Sequence, residues 1–181
     1  MINNTIFNRV NNAISKLFER DQYLLVNNLN ERTIAHKFAV YLQEEFFDLN
    51  VDCEYNKNVD EDDGSKNIYV VKVEAERLRK SINKEIVIDE IIHSVISIYP
   101  DIVIHNRGEN NSNLLIIEIK KSTNLIDRYY DFKKLQCYTD NTPHNKLKYQ
   151  YGLFIEFETN VPKPRKPELI WFKDGEIVSQ E

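Results

Sequence analysis

Glycine and proline are scarce in this 181-residue chain, at four and five residues, and no internal repeat or low-complexity domain breaks it. There are two cysteines, Cys53 and Cys137. Far apart and without a C-x-x-C pair, they supply neither a disulfide framework nor a zinc knuckle, and both read as small buried hydrophobes. No apolar run approaches the roughly 18 to 20 residues of a membrane span. Met1 to Asn12 is an Asn-rich amphipathic stretch rather than a basic region leading into a secretory apolar core, so a cytoplasmic protein is expected. No Gly-x-x-x-x-Gly-Lys loop or Gly-x-Gly-x-x-Gly turn offers a phosphate cradle. His36, His93, His105 and His144 are scattered without zinc spacing, and no Cys stands where a nucleophile would need it. His105-Asn106 is the only trace of a His-Asn-His nuclease motif. Excess positive charge is also missing: 24 Lys and Arg against 29 Asp and Glu give a formal charge of -5. That argues against a protein that coats nucleic acid, yet leaves room for a local basic groove beside carboxylates. With 41% apolar residues, the chain has enough hydrophobic material for one globular domain spanning 1–181.

Hydrophobic spacing supplies the elements. Ile6, Phe7, Val10, Ile14, Leu17 and Phe18 recur at helical period, predicting an N-terminal helix over 5–20 and a turn at Asp21. Asn30 is an N-cap candidate for a second helix, whose ridge is Ile34, Phe38, Leu42 and Phe46 with Ala35 and Ala39 beside it. Val51 to Tyr55 reads as a strand, and the acidic stretch from Asn56 to Lys66, with Asp60 to Asp63, as a solvated loop and a candidate partner surface. Ile68 to Val73 looks extended and Glu74 to Lys80 helical; Ile86 to Ile98 fits either period and is read as a helix. Asp101–His105 and Leu114–Lys120 form a hairpin around a polar turn. Leu125 to Thr139 is read as a helix with Leu125, Tyr129 and Phe132 on its apolar face. Tyr151 to Phe157 is a strand of the fully buried type, and a C-terminal hairpin over 168–179 turns at Asp174-Gly175. The expectation is an α/β domain with a central mixed β-sheet flanked by helices, its core over about 30–158 in the order αβββαβ.

The residues that interrupt the apolar pattern sit at particular strand positions. If Asn106 faces Asn113, Val103 faces Ile116 and Asp101 faces Glu118 on the same side of the sheet. Carboxylates directly opposite repel by about 0.2 to 1 kcal/mol at an exposed site and by more when desolvated, so a compensating charge is required. Side chains alternate along a strand, which brings Lys120 to the face of Glu118 and sends Ile117, Ile119 and Lys121 to the other. Two hard carboxylates with an amine beside them suit Mg²⁺ or Mn²⁺ and attack by water on a phosphodiester. A Glu-x-Lys triplet is common by chance. Here it ends the hairpin partner of a strand opened by Pro100-Asp101, with helices on both sides.

Pro100-Asp101 and Glu118-Ile119-Lys120, so spaced and so placed among these elements, resemble the two half-motifs of the PD-(D/E)xK, or restriction-endonuclease-like, nuclease superfamily. The resemblance covers the core from Asn30 to Glu158 and implies a Mg²⁺- or Mn²⁺-dependent nuclease acting on DNA. It assigns Asp101, Glu118 and Lys120 as catalytic, with Asp101 and Glu118 as metal ligands. It also implies a carboxylate on the first core helix, matched by Glu31, a further catalytic candidate that would help hold the metal; the plain reading of Glu31 is an acid favoured in a first helical turn. Some branches carry Gln-x-x-x-Tyr on the following helix. Gln136 and Tyr138 are two apart and do not match, so Gln136 stands only as a substrate-binding candidate. Lys121, Lys133 and Lys134 are the candidate phosphate contacts, and Tyr129, Tyr130 and Tyr138 are either base-stacking residues or core. Cutting both strands of a duplex needs two sites, which a homodimer or larger complex would supply. The alternative is an inactive nuclease-fold protein serving as a nucleic-acid-binding or protein-interaction module.

Overall fold

The computed structural model describes residues 2–60, 64–78, 82 and 84–179. Helix α1 (Asn4–Arg20) opens with Asn3 accepting the Thr5 amide at 2.8 Å and buries Ile6, Val10, Ala13, Ile14 and Leu17. Asp21 leads not into a plain turn but into a one-turn helix, α2 (Gln22–Val26). Asn30 caps α3 (Glu31–Glu45) through the Thr33 amide at 2.8 Å, and the predicted ridge of Ile34, Phe38 and Leu42 is buried.

Six strands build the main sheet in the order β1-β5-β6-β7-β8-β9: β1 (Asn50–Cys53), β5 (Ile102–His105), β6 (Leu115–Lys121), β7 (Tyr151–Phe157), β8 (Leu169–Lys173) and β9 (Glu176–Val178). Only β6 and β7 run parallel; α5 (Tyr129–Thr139) lies in the crossover between them. Between β1 and β5 the chain forms β2 (Asn67–Val71), α4 (Lys72–Leu78), β3 (Lys84–Ile88) and β4 (Ile91–Ser97), whose strands make a second antiparallel sheet, β2-β4-β3. The fold is mixed α/β. Among the described residues no helix is long and apolar enough to cross a membrane.

Each face of the main sheet has its own core. Ile102, Ile104, Leu115, Ile117 and Ile119 pack against α1 and α3, while Val103, Ile116, Phe154 and Phe172 pack against Leu135 and Tyr138 of α5 and Ile68, Val70 and Ile96 of the small sheet. The alternation expected along β5 and β6 is therefore present, in the expected register: Val103 stands opposite Ile116.

Several local expectations change. Ile86 to Ile98 is a hairpin, not a helix. Its β-branched residues flank Asp89-Glu90, which turn with φ of 48° and 66°, a two-residue turn of the kind that joins twisted strands. The 56–66 loop is not simply solvated, since Asn58 and Lys66 are buried. Residues 61–63, the heart of the acidic run, lie outside the described residues, as do Arg79 and Lys80 at the end of the expected charged helix. Cys53 is exposed and Cys137 half-buried, rather than both buried. Helix α5 starts four residues late because the Asn124 and Asp127 side chains take the Ile126 and Tyr129 amides at 3.1 and 2.9 Å, local turns that compete with helix. Leu125 and Ile126 are left outside it and exposed.

Gly152 on β7 lets α5 approach the sheet. A Cβ there would lie 3.1 Å from Leu135 Cδ2, 3.2 Å from Phe172 Cβ and 3.3 Å from Thr139 Cγ2. Gly152→Ala is expected to destabilise the protein by about 1 to 3 kcal/mol, the range for overpacking a tight contact. Equilibrium urea unfolding measures it as a lower midpoint at unchanged slope.

Candidate active site

Asp101 precedes β5, and Glu118 and Lys120 lie near the end of β6. Continuing the β5–β6 register by one residue sets Asp101 opposite Glu118, and the Asp101 carboxylate accepts the Ile119 amide at 2.7 Å. Both carboxylates belong to the face covered by α5. The compensating charge comes from that helix. Lys134 Nζ bonds Glu118 Oε2 and lies 3.1 Å from Asp131 Oδ1. Asp131 Oδ2 receives Lys120 Nζ at 2.6 Å, and Tyr138 donates to Glu118 Oε1 at 3.1 Å. The result is a chain of alternating charge, Glu118, Lys134, Asp131, Lys120. Side-chain exposures run from 3% at Glu118 to 12% at Lys120.

Lys120 is thus held by Asp131 rather than by the two carboxylates of the hairpin. Asp131 is not among the candidates read from the sequence, and Tyr138 stands there only as a base-stacking or core residue. They share the buried face of α5 with Lys134 and Leu135, at the spacing i, i+3, i+4 and i+7 that puts residues on one side of a helix. That spacing was the available signal, and two charged residues on it obscured it.

Glu31 arrives from the first turn of α3. Its Oε2 accepts the Lys121 amide at 2.9 Å, and Asn124 Nδ2 reaches both its oxygens at 3.0 and 3.1 Å. It therefore ties α3 to the end of β6, and its charge is felt at Asp101. The other candidates are distributed differently. Lys121 turns its ammonium to the α2–α3 loop, bonding Asn28 Oδ1 and the Leu29 carbonyl, each at 3.0 Å. Lys133 pairs with Glu74 of α4 at 2.7 Å. Gln136 is half-buried on α5, and the residue one turn before Tyr138 is Lys134. Tyr138 is fully buried, whereas Tyr129 remains 42% exposed beside Glu74. Arg128 and Arg165 pair with Glu156 and Glu158, so these two cations are also neutralised within the protein.

Burial and crowding of like charge set the electrostatics. Burial pushes the Glu118 carboxyl upward; Lys134 opposes this, and Asp101 and Asp131 add to it. Burial also raises Asp101, against the Ile119 amide and Lys134 and with the Asp131 and Glu31 charges. For Lys134 burial acts downward, but the Glu118, Asp131 and Asp101 charges outweigh it and hold the ammonium above its ordinary value.

No protein-family model, curated protein or solved structure matches the chain.

The donor set therefore decides what fits. Among the described residues no three His, Cys, Asp or Glu side chains converge closely enough to cage a metal ion. Mg²⁺ does not require such a cage, since it keeps several waters and takes one or two carboxylates. Asp101 and Glu118 are such a pair. Asp101, Glu118 and Asp131 act on the Lys134 ammonium, Asp131 also holds that of Lys120, and the Glu31 charge is felt at Asp101. Burial is the main cause of the upward shifts of Asp101 and Glu118, and the neighbouring carboxylates add to it; a hard divalent cation would oppose both.

Proposed function

We propose that the protein is a Mg²⁺- or Mn²⁺-dependent nuclease of the restriction-endonuclease-like type that hydrolyses phosphodiester bonds in DNA. The observation that carries the reading is the meeting of Asp101, Glu118 and Lys120 on one face, at the end of β6, with the charge chain from α5 holding them. With the β2–α4–β3–β4 insertion set aside, the order α3, β1, β5, β6, α5, β7 around the main sheet is compatible with the αβββαβ order of that superfamily and supports the reading. The site also lies at the carboxyl ends of the two parallel strands, where open α/β sheets bind their ligands.

Asp101 and Glu118 would hold the ion, with Glu31 alongside. When bound, the ion supplies Lewis-acid charge to the phosphoryl oxygens. Lys120 is gripped as an ammonium by Asp131, so it acts as a donor: it orients the attacking water or a phosphoryl oxygen and stabilises the charge that develops there. Tyr138 and Lys134 fix the Glu118 carboxylate. One observation favours the alternative of an inactive, binding module: the protein's own Lys134 pairs with Glu118.

Incubating the purified protein with Mg²⁺ or Mn²⁺ and single-stranded, duplex and branched DNA separates the two readings. Cleavage by the wild type that disappears in Asp101→Asn is expected. Binding without cleavage under every condition would favour a nucleic-acid-binding module, and neither binding nor cleavage would sink both the nuclease and that module, leaving the protein-interaction form of the alternative.

A further inference from the structure

Lys134 occupies an unusual position for a lysine. Its side chain is 8% exposed, it arrives from the helix packed over the sheet, and it bonds an oxygen of the very carboxylate that would ligate a divalent ion. An ammonium and a hard cation cannot both take Glu118 Oε2 at full strength. One of them must yield.

The surroundings make it possible for Lys134 to yield. Moving a buried ammonium off its carboxylate is ordinarily costly because it leaves an uncompensated charge. Lys134 has a second carboxylate within reach, Asp131 Oδ1 at 3.1 Å, three residues back on the same helix. Giving up Glu118 therefore leaves it paired, and a lysine stem can carry its head group that short way without any movement of the helix. Meanwhile Tyr138 keeps hold of the other Glu118 oxygen, Oε1, at 3.1 Å, so the carboxylate stays oriented while its partner changes.

We propose that Lys134 is the resident counter-cation of Glu118, and that a divalent ion at Asp101 and Glu118 displaces its ammonium onto Asp131. This rests on the metal-dependent reading of the site. Two consequences follow from the geometry. In the ion-free protein Lys134 keeps two opposed carboxylates from repelling each other and so preserves the site. Because Asp131 also holds Lys120 at 2.6 Å, a Lys134 ammonium that leans on Asp131 alone strengthens its contact there and loosens the grip on Lys120. Ion binding is thereby coupled to the freedom of Lys120 to meet the substrate.

The competition is measurable without substrate. Lys134→Met keeps most of the apolar stem and removes the charge; in a Mn²⁺ titration followed by electron paramagnetic resonance it is expected to bind at least about tenfold more tightly than wild type, within the usual range of coupling between two sites. Asp101→Asn in the same background should abolish that binding. Equal or weaker Mn²⁺ binding by Lys134→Met would overturn the assignment while leaving the metal-dependent reading intact. Absence of Mn²⁺ binding in both proteins would remove both.

Removing Lys134 strips Glu118 of its buried partner and lowers stability, so wild type supplies a second measurement. The ζ-¹⁵N resonance of Lys134 should shift on saturation with Mg²⁺ and should not shift in Asp101→Asn. A resonance that stays unchanged while the wild type binds Mg²⁺ would also overturn the displacement.

Discussion

Lys120→Met is expected to lower the single-turnover rate of DNA cleavage by about a thousand-fold or more, the loss associated with removing a positioned proton-handling or charge-stabilising group. The affinity for uncut DNA should change far less, because one ammonium among several cations contributes modestly to binding. Lys120 is only partly exposed, and its ammonium is fixed by Asp131 at 2.6 Å, so on the nuclease reading its contribution would be made where charge develops in the transition state. Asp131 should matter nearly as much without touching the reacting atoms. Asp131→Asn removes the charge that holds both Lys120 and Lys134, and should lower the rate by about a hundred-fold through loss of geometry. Asp131→Glu, which restores the charge, should recover part of it. Rapid-quench cleavage alongside a filter-binding measurement separates the two effects. A Lys120→Met protein that cuts as fast as wild type would eliminate Lys120 from the chemistry.

The legibility of the site in the sequence follows from what strand periodicity encodes. Alternation along β5 and β6 depends on the chain alone. The facing of Asp101 and Glu118, and the separation of Lys120 from Lys121, therefore followed from the hairpin turn without knowledge of the rest of the fold. The continuous apolar run of β7 and the Asp174-Gly175 turn, with φ of 54° and 79°, were equally local. What escaped was a property of pairs. Asp131 and Lys134 are buried on α5 only because Glu118 and Lys120 come from β6 to meet them. A pattern that scores apolar residues as inside places both on the solvent face and turns Leu125 to the core. The 86–98 segment failed for a different reason: Asp89-Glu90 carries no glycine or asparagine to announce a left-handed turn, and the runs on either side fit both periods.

A second large effect lies at the other end of β5, away from Asp101. Lys66 is 1% exposed, its ammonium bonds the Lys57 carbonyl, and it sits 4.6 Å from the centre of the Tyr55 ring and 6.0 Å from that of Tyr149. Asp52, whose charge helps Lys66, is itself engaged by His105 at 3.1 Å and by Arg107. Burial pulls the Lys66 amine down from 10.5 to about 8, with Asp52 opposing the fall. The unfolded chain thus binds the proton more tightly than the folded one. Below pH 8 both states carry the charge and the folded protein bears the full cost, at most about 3 to 4 kcal/mol at 1.36 kcal/mol per pH unit. Between pH 8 and 10.5 the unfolded state binds more protons, so stability rises with pH, and above that window the cost is gone. Lys66→Met is therefore expected to stabilise the protein by about 1 to 2 kcal/mol at pH 7, once the lost carbonyl hydrogen bond and ring contacts are subtracted. That advantage should shrink steadily from pH 8 to 10.5. Titrations common to both proteins cancel in the difference, so paired urea unfolding curves across this range isolate the one group. A gain independent of pH would mean that Lys66 is not buried as a charge. Because His105 and Asp101 stand at opposite ends of β5, the stabilised variant should cleave DNA at the wild-type rate, separating the stability of this end of the sheet from the chemistry of the other.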